Sequence, residues 1–163
     1  MLETARQVLD IQTVSTIQPS NSAMAVGFGN GLVTRVPPGH SDGDNMLREA
    51  TSSLEQGRPV GVMASGNGLL LELSHAHDTA VRSMREDEED KSRLAVWLWE
   101  YSPVCYLTRD HPEFDRIRAT LEQAAASGTR VWLANHMHMV EGEAEVWWKI
   151  MDVRPIESLP PRT

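Results

Sequence analysis

His75-Ala76-His77 and His136-Met137-His138 are the residues of this chain whose type and spacing come nearest to metal chemistry. Side chains two apart on a strand face the same side, so each pair would offer two imidazoles to one ion. Glu143 would add a carboxylate. On that reading His75, His77, His136, His138 and Glu143 hold a divalent transition metal such as zinc, in a small metal-dependent protein or enzyme. Both pairs also fall at expected strand ends or loops, where histidine serves as an ordinary polar residue. Only convergence of the two pairs would make the site specific.

The aromatic residues suggest a different chemistry. All five tryptophans follow residue 96. Trp97, Trp99 and Tyr101 alternate along one expected strand and so share a face, with Trp132 on the next strand. An exposed face of this kind stacks against bases, sugars or peptide side chains. Trp147 and Trp148 are adjacent on the last strand and must point to opposite sides, so one of them leaves the inner face. Trp97, Trp99, Tyr101 and Trp132 are therefore the candidate ligand-binding set.

Covalent catalysis has little support. Ser65, Ser74 and Cys105 lack the local signatures of activated nucleophiles, so no catalytic residue is assigned and no cofactor is expected. Gly27-x-Gly29-x-Gly31 is followed by strand-forming residues where a dinucleotide-binding loop would open a helix. Cys105 is the single cysteine, which excludes an internal disulfide and any multi-cysteine zinc site.

The bulk numbers narrow the partners. The 163 residues carry a formal net charge of −8, with 40% hydrophobic and 23% charged residues. Phosphate contacts dominate nucleic-acid affinity and call for a basic face, so the charge disfavours nucleic acid. A protein or a small ligand is the expected partner, and a homo-oligomer is admitted. No stretch reaches the eighteen or so apolar residues of a membrane span, and the first residues lack an apolar signal core. A cytoplasmic protein is expected.

The elements that must position these residues are marked by turns. Ala23–Val33 and Val60–Leu70 share one phrase, an apolar run into Gly-Asn-Gly and an apolar run out. Asn-Gly suits the type I′ turn, so each phrase predicts a β-hairpin. Asp44 is placed to cap a helix to Gln56, with Met46, Leu47, Ala50 and Leu54 on one face and Gly57 as its stop. Asp110 and Glu113 form a capping box ahead of a second helix with a Phe114, Ile117, Leu121, Ala124 stripe, ended by Gly128. Opposite charges four apart, such as Arg82/Glu86 and Arg85/Glu89, support a solvated helix, or else a mobile loop, over 78–93, with Glu86-Asp87-Glu88-Glu89-Asp90 as an alternative acidic docking patch. Leu94–Leu107 reads as one strand bent at Pro103.

The expected fold is α+β, a small twisted or barrel-like antiparallel sheet with two packed helices. Its strand order after residue 58 is OB-like: strand, strand, strand, helix, strand, strand. Residues 1–22 are expected as a weakly ordered or docked arm, 23–153 as a single domain and 154–163 as a tail. Leu54-Glu55-Gln56 with Gly57 and Leu121-Glu122-Gln123 with Gly128 both lead through glycine into a strand, which raises the question of an internal repeat. The expected function is a non-enzymatic binding or interaction module using the aromatic sheet face. The metal-dependent protein is the first alternative and a structural subunit of a homo-oligomer the second.

Overall fold

A computed structural model describes residues 7–100, 104–139 and 146–159. The chain divides into two compact units, one up to Ala76 and the other from His77 to Pro160.

In the first unit, β1 (Val8–Gln12) and β2 (Val14–Ser20) are separated only by Thr13. β2 pairs antiparallel with β3 (Ala23–Phe28), and β3 with β4 (Val33–Val36). After helix α1 (Gly43–Gln56), β5 (Val60–Ala64) pairs antiparallel with β1 and with the start of β6 (Leu70–Glu86). A parallel bridge between Arg35 and Leu69, with the Arg35 amide donating to the Gly68 carbonyl at 2.8 Å, brings β4 to β6. With β1 and β2 counted as one interrupted strand, the five strands thus run in a ring.

The second unit repeats that ring. The last part of β6 pairs antiparallel with β7 (Arg93–Leu98), and β7 with β8 (Cys105–Thr108). Helix α2 (Phe114–Ser127) follows, then β9 (Arg130–Met139) and β10 (Val146–Pro155), paired antiparallel. β10 runs parallel to β8, and β9 pairs back to β6. The expected α+β class, ring-like sheet and two helices are therefore present. The order strand, strand, strand, helix, strand, strand occurs twice, and β6 closes one series and opens the next.

The correspondence extends to single residues. Val14 opposite Phe28 matches Val81 opposite Leu98, and in both ribbons the register slips by one before the next pair, Thr16/Gly27 and Ser83/Trp97. A second slip, between Met63 and Ala64 on β5, matches the slip between Ile150 and Asp152 on β10: Met63 faces Glu72 as Ala134 faces Asp152. Each 14-residue helix ends on a left-handed glycine, Gly57 (φ 66°) and Gly128 (φ 73°), whose amide reaches back to Ser53 and Ala124. A histidine starts each helix. His40 Nδ1 accepts the Asp42 amide at 3.1 Å, and His111 Nδ1 accepts the Glu113 amide at 2.9 Å. The similar Leu-Glu-Gln phrases lie out of this register, for Leu121 corresponds to Ala50.

Several local expectations are corrected. The asparagine–glycine hairpins form, but with three-residue loops. The Gly31 amide donates to Phe28 and the Gly68 amide to Ser65, and the positive φ falls on Gly31 (92°) and Gly68 (90°) and not on the asparagines. These are type I turns closed by a glycine bulge. The turn with two positive φ values is Asn21–Ser22 (45° and 68°), joining β2 to β3. Asp42, not Asp44, precedes α1, and neither helix start has a side-chain cap bond from the expected carboxylates. Ser53 takes the inward place expected for Leu54, which is 37% exposed. Its hydroxyl accepts the Val14 amide at 3.0 Å and donates to the Arg58 carbonyl at 2.5 Å.

The expected helix over 78–93 is strand as far as Glu86. Thr79 and Val81 alternate into the interior at 2% and 3% exposure. Burying one valine is worth about 1.5–3 kcal/mol, against about 0.2–0.5 kcal/mol for each charge pair on an isolated helix, so the strand wins. Leu94–Leu107 is two strands folded on each other, with Leu94 opposite Leu107; Pro103 lies outside the described residues.

Each ring encloses its own core, one around Val26, Phe28, Met46, Val60 and Leu70, the other around Val96, Leu107, Ile117, Leu121 and Leu133. In the second unit, α2 is also pinned electrostatically. The Asp152 carboxylate, 0% exposed, accepts from Arg116 Nη2 at 2.6 Å, Arg154 Nε at 2.9 Å and the Val153 amide at 2.9 Å. Those three donors offset the cost of burying the charge. Among the described residues no helix is long and apolar enough to cross a membrane.

Two predictions follow from these turns and caps. A Cβ at Gly31 would meet nothing within 4 Å, so Gly31→Ala tests backbone strain alone. It should lower stability in urea denaturation by about 1–2 kcal/mol, the cost of left-handed backbone for an L residue. An unchanged midpoint would contradict the assigned turn. His111 accepts at Nδ1 and so donates from Nε2, here to the Met151 carbonyl at 2.7 Å. Burial lowers its pKa below the ordinary 6.5, so the unfolded chain takes up a proton first as pH falls. This part of the stability is complete above about pH 6.5 and is lost below it, down to the folded-state value. His111→Gln should make the fall in urea midpoint below that pH shallower. Burial also lowers His75, so the slope should not vanish.

Candidate functional site: an arginine–tryptophan face on the second unit

The β6–β7 ribbon turns Val81, Leu94, Val96 and Leu98 inward, so the alternate residues face outward. Trp97 is half-buried on that outer surface, and Trp99, just past the end of β7, is 64% exposed. The register slip between Val81 and Ser83 leaves Arg82 with no opposite residue, and both Arg82 and Ser83 stand in solvent. Extra residues of this type re-aim side chains and sharpen strand twist. The Arg82 guanidinium lies 5.1 Å from the centroid of the Trp99 ring. Arg85, opposite Ala95 and therefore diagonal to Trp97, lies 4.7 Å from the Trp97 ring. Two arginine-over-tryptophan stacks result, side by side on one ribbon.

A second cluster continues across β8 and β10. Arg93 sits 4.1 Å from the Tyr106 ring and 4.7 Å from Trp147, and the two rings meet edge to face at 5.4 Å and 86°. Asp87 accepts from Arg93 Nε at 2.6 Å, a bond that holds the Asp87 carboxyl below the usual range. The Arg93 side chain is only 15% exposed, so this cluster is closed by its own contacts. Beside it is a cleft of about 490 Å³ lined in part by Ser92, Thr108, Arg109, Trp147 and Lys149. Trp148 packs against the core while Trp147 faces out, as adjacent strand residues must.

Of the expected aromatic set, Trp97 and Trp99 come together on the ribbon. Trp132 lies on β9 opposite Arg154, with its Nε1 buried and without a hydrogen-bond partner. Tyr101 lies outside the described residues. Arg82, Arg85, Arg93, Tyr106 and Trp147 join the outer surface but not the expected set. For Arg82 and Arg85 the available signal was the alternation of Thr79 and Val81, which charge pairs at helical spacing obscured.

The described members of the histidine set, His75, His77 and His136, lie on two strands. His75 is on the part of β6 in the first unit and His77 on the part in the second, while His136 is on β9. Among the described residues no group of three or more His, Cys, Asp or Glu side chains converges to hold a metal. Glu143 and the His138 side chain lie outside the described set. Cys105 is buried in the core, where Asn135 Nδ2 donates to its sulfur at 3.3 Å. Burial pushes its pKa up to about 11, so the thiol stays protonated and inert. No protein family, curated protein or solved structure matches the chain.

The exposure of Trp99 is directly measurable, because the other four tryptophans are half-buried. Trp99→Phe should shift the intrinsic emission to the blue and remove most of the acrylamide-quenchable fraction. Quenching equal to that of the unaltered protein would contradict the exposed stack.

Proposed function

We propose that this protein is a non-enzymatic binding module whose docking face is the outward side of the second ring around Trp97 and Trp99. The ring order, with its third and fifth strands parallel and the helix between the third and fourth, is that of the OB barrel. In such barrels the face of the second and third strands is a binding surface, for oligonucleotides and oligosaccharides in the known cases. β7 and β8 hold those places here, and they carry Trp97 and Tyr106. Fold likeness alone is weak support for function. The observation that carries the reading is Trp99, 64% exposed beside a half-buried Trp97; among the described residues the other exposed large apolar side chains are Val33, Leu54 and Leu71.

The partner is a segment of another protein or a small ligand, and the charge of −8 argues against nucleic acid. A cytoplasmic location suits a chain with one buried cysteine.

Trp97→Ala with Trp99→Ala, probed on an arrayed library of extended peptides, tests the reading. The first unit has glycines at the matching places, so the ring does not require these indoles, and circular dichroism should be unchanged. The unaltered protein should retain a subset of peptides, and the double variant should hold them about tenfold or more weakly, as expected for buried aromatic anchors. Equal retention by both proteins, or none by either, would overturn the proposal.

A further inference from the structure

The binding reading leaves the chemistry of the ligand open, and the two arginine stacks narrow it. The second unit contains eight arginines. Arg93, Arg109, Arg116, Arg118, Arg130 and Arg154 each hold a carboxylate. Among the described residues Arg82 and Arg85 meet none, and each rests on a tryptophan. This is notable in a chain with eight surplus acids. Three carboxylates close in sequence are already engaged, Glu86 with Arg109 at 2.8 Å, Asp87 with Arg93 at 2.6 Å and Asp78 with Arg130 at 2.6 Å.

The architecture does not require these stacks, because the first unit builds the same bulged ribbon without them. Matched through the register slips, Arg82 corresponds to Ser15, Arg85 to Gln18 and Trp97 to Gly27. Trp99 corresponds to Gly29, since the Gly29 amide donates to Thr13 as the Trp99 amide donates to Ala80. The ring closes equally well with serine, glutamine and two glycines at these places.

Stacking engages the flat face of a guanidinium and leaves its N–H edge free. A guanidinium over an indole and without a carboxylate partner keeps N–H donors available for a two-pronged pair of hydrogen bonds to a carboxylate. We infer that the Arg82–Trp99 and Arg85–Trp97 stacks bind an acidic peptide segment of another protein, through carboxylates of aspartate or glutamate. The inference rests on the binding reading above. A nucleic acid is the poorer occupant, because its affinity accumulates over many phosphate contacts, and among the described residues of the second unit only two arginines, Arg82 and Arg85, lack a carboxylate partner. Their partner rings are also already covered on one face.

The same peptide array, read by composition, provides the test, with Arg82→Gln and Arg85→Gln combined and a short oligothymidylate as the phosphate arm. Peptides retained by the unaltered protein should be enriched in Asp and Glu. The glutamine variant should bind them about tenfold more weakly, and added salt should weaken them progressively. Lysine at both positions should restore only part of the affinity, since the fork geometry is lost. The oligothymidylate should bind more weakly than the acidic peptides. Retained peptides that depend on Trp97 and Trp99 but lack acidic enrichment would overturn this inference and leave the binding module intact. Loss of all retention would overturn both. Tighter binding of the oligothymidylate, or self-association abolished by the glutamine variant, would overturn the acidic-peptide occupant in favour of phosphate or a second copy.

Discussion

A ring of five short strands closes only if its first strand pairs with two partners, the second strand along one stretch and the fourth along another. A straight ribbon cannot do this, because the twist that brings one partner into register carries the other away. This chain meets the constraint twice with the same device. In the first unit the leading strand is interrupted at Thr13 and slips register between Val14 and Thr16. In the second, β6 slips between Val81 and Ser83. The fourth–fifth pair slips at matching places as well, before Ala64 and before Asp152. Around these irregularities the helix, its histidine start and its left-handed glycine stop recur at matching places.

The arginine–tryptophan face is a by-product of that constraint. A bulge forces one residue out of the ladder, and in the second unit that residue is Arg82. The side chain it re-aims lands on Trp99, and the diagonal neighbour Arg85 lands on Trp97. In the first unit the same geometry leaves Ser15, Gln18 and glycines. The two rings thus share a mechanical solution and differ in what they present. One has a bare ribbon, the other a pair of cations backed by indole.

Much of this was legible in the residues. The glycine-flanked asparagines marked real reversals, the second helix buried the expected stripe, and the adjacent tryptophans split between core and surface. The turn class was missed because glycine after asparagine serves two loop lengths equally well, and only the pairing register distinguishes them. The β2–β3 reversal was missed because Asn21–Ser22 carries no glycine. The strand at 77–86 was hidden by charge pairs at helical spacing, whose energies are small beside the burial of Val81. The repeat itself was hardest to see. Many matched positions keep a place in the ring and not an identity: Gly27 stands for Trp97, Met46 for Ile117 and Glu72 for Asp152. The phrases that do look alike, Ala23–Val33 and Val60–Leu70, lie within one unit and mark different hairpins of the same ring.

The account stands on β6 being a bulged strand through Arg82, paired to β7, in a ring whose third and fifth strands run parallel. Cross-strand nuclear Overhauser contacts in the labelled protein measure this directly. Backbone contacts should link Ser83 with Trp97, Met84 with Val96 and Cys105 with Trp148, with a break in the ladder at Arg82. A run of helical contacts between residues three apart from 78 to 91, with no ladder to β7, would contradict the account.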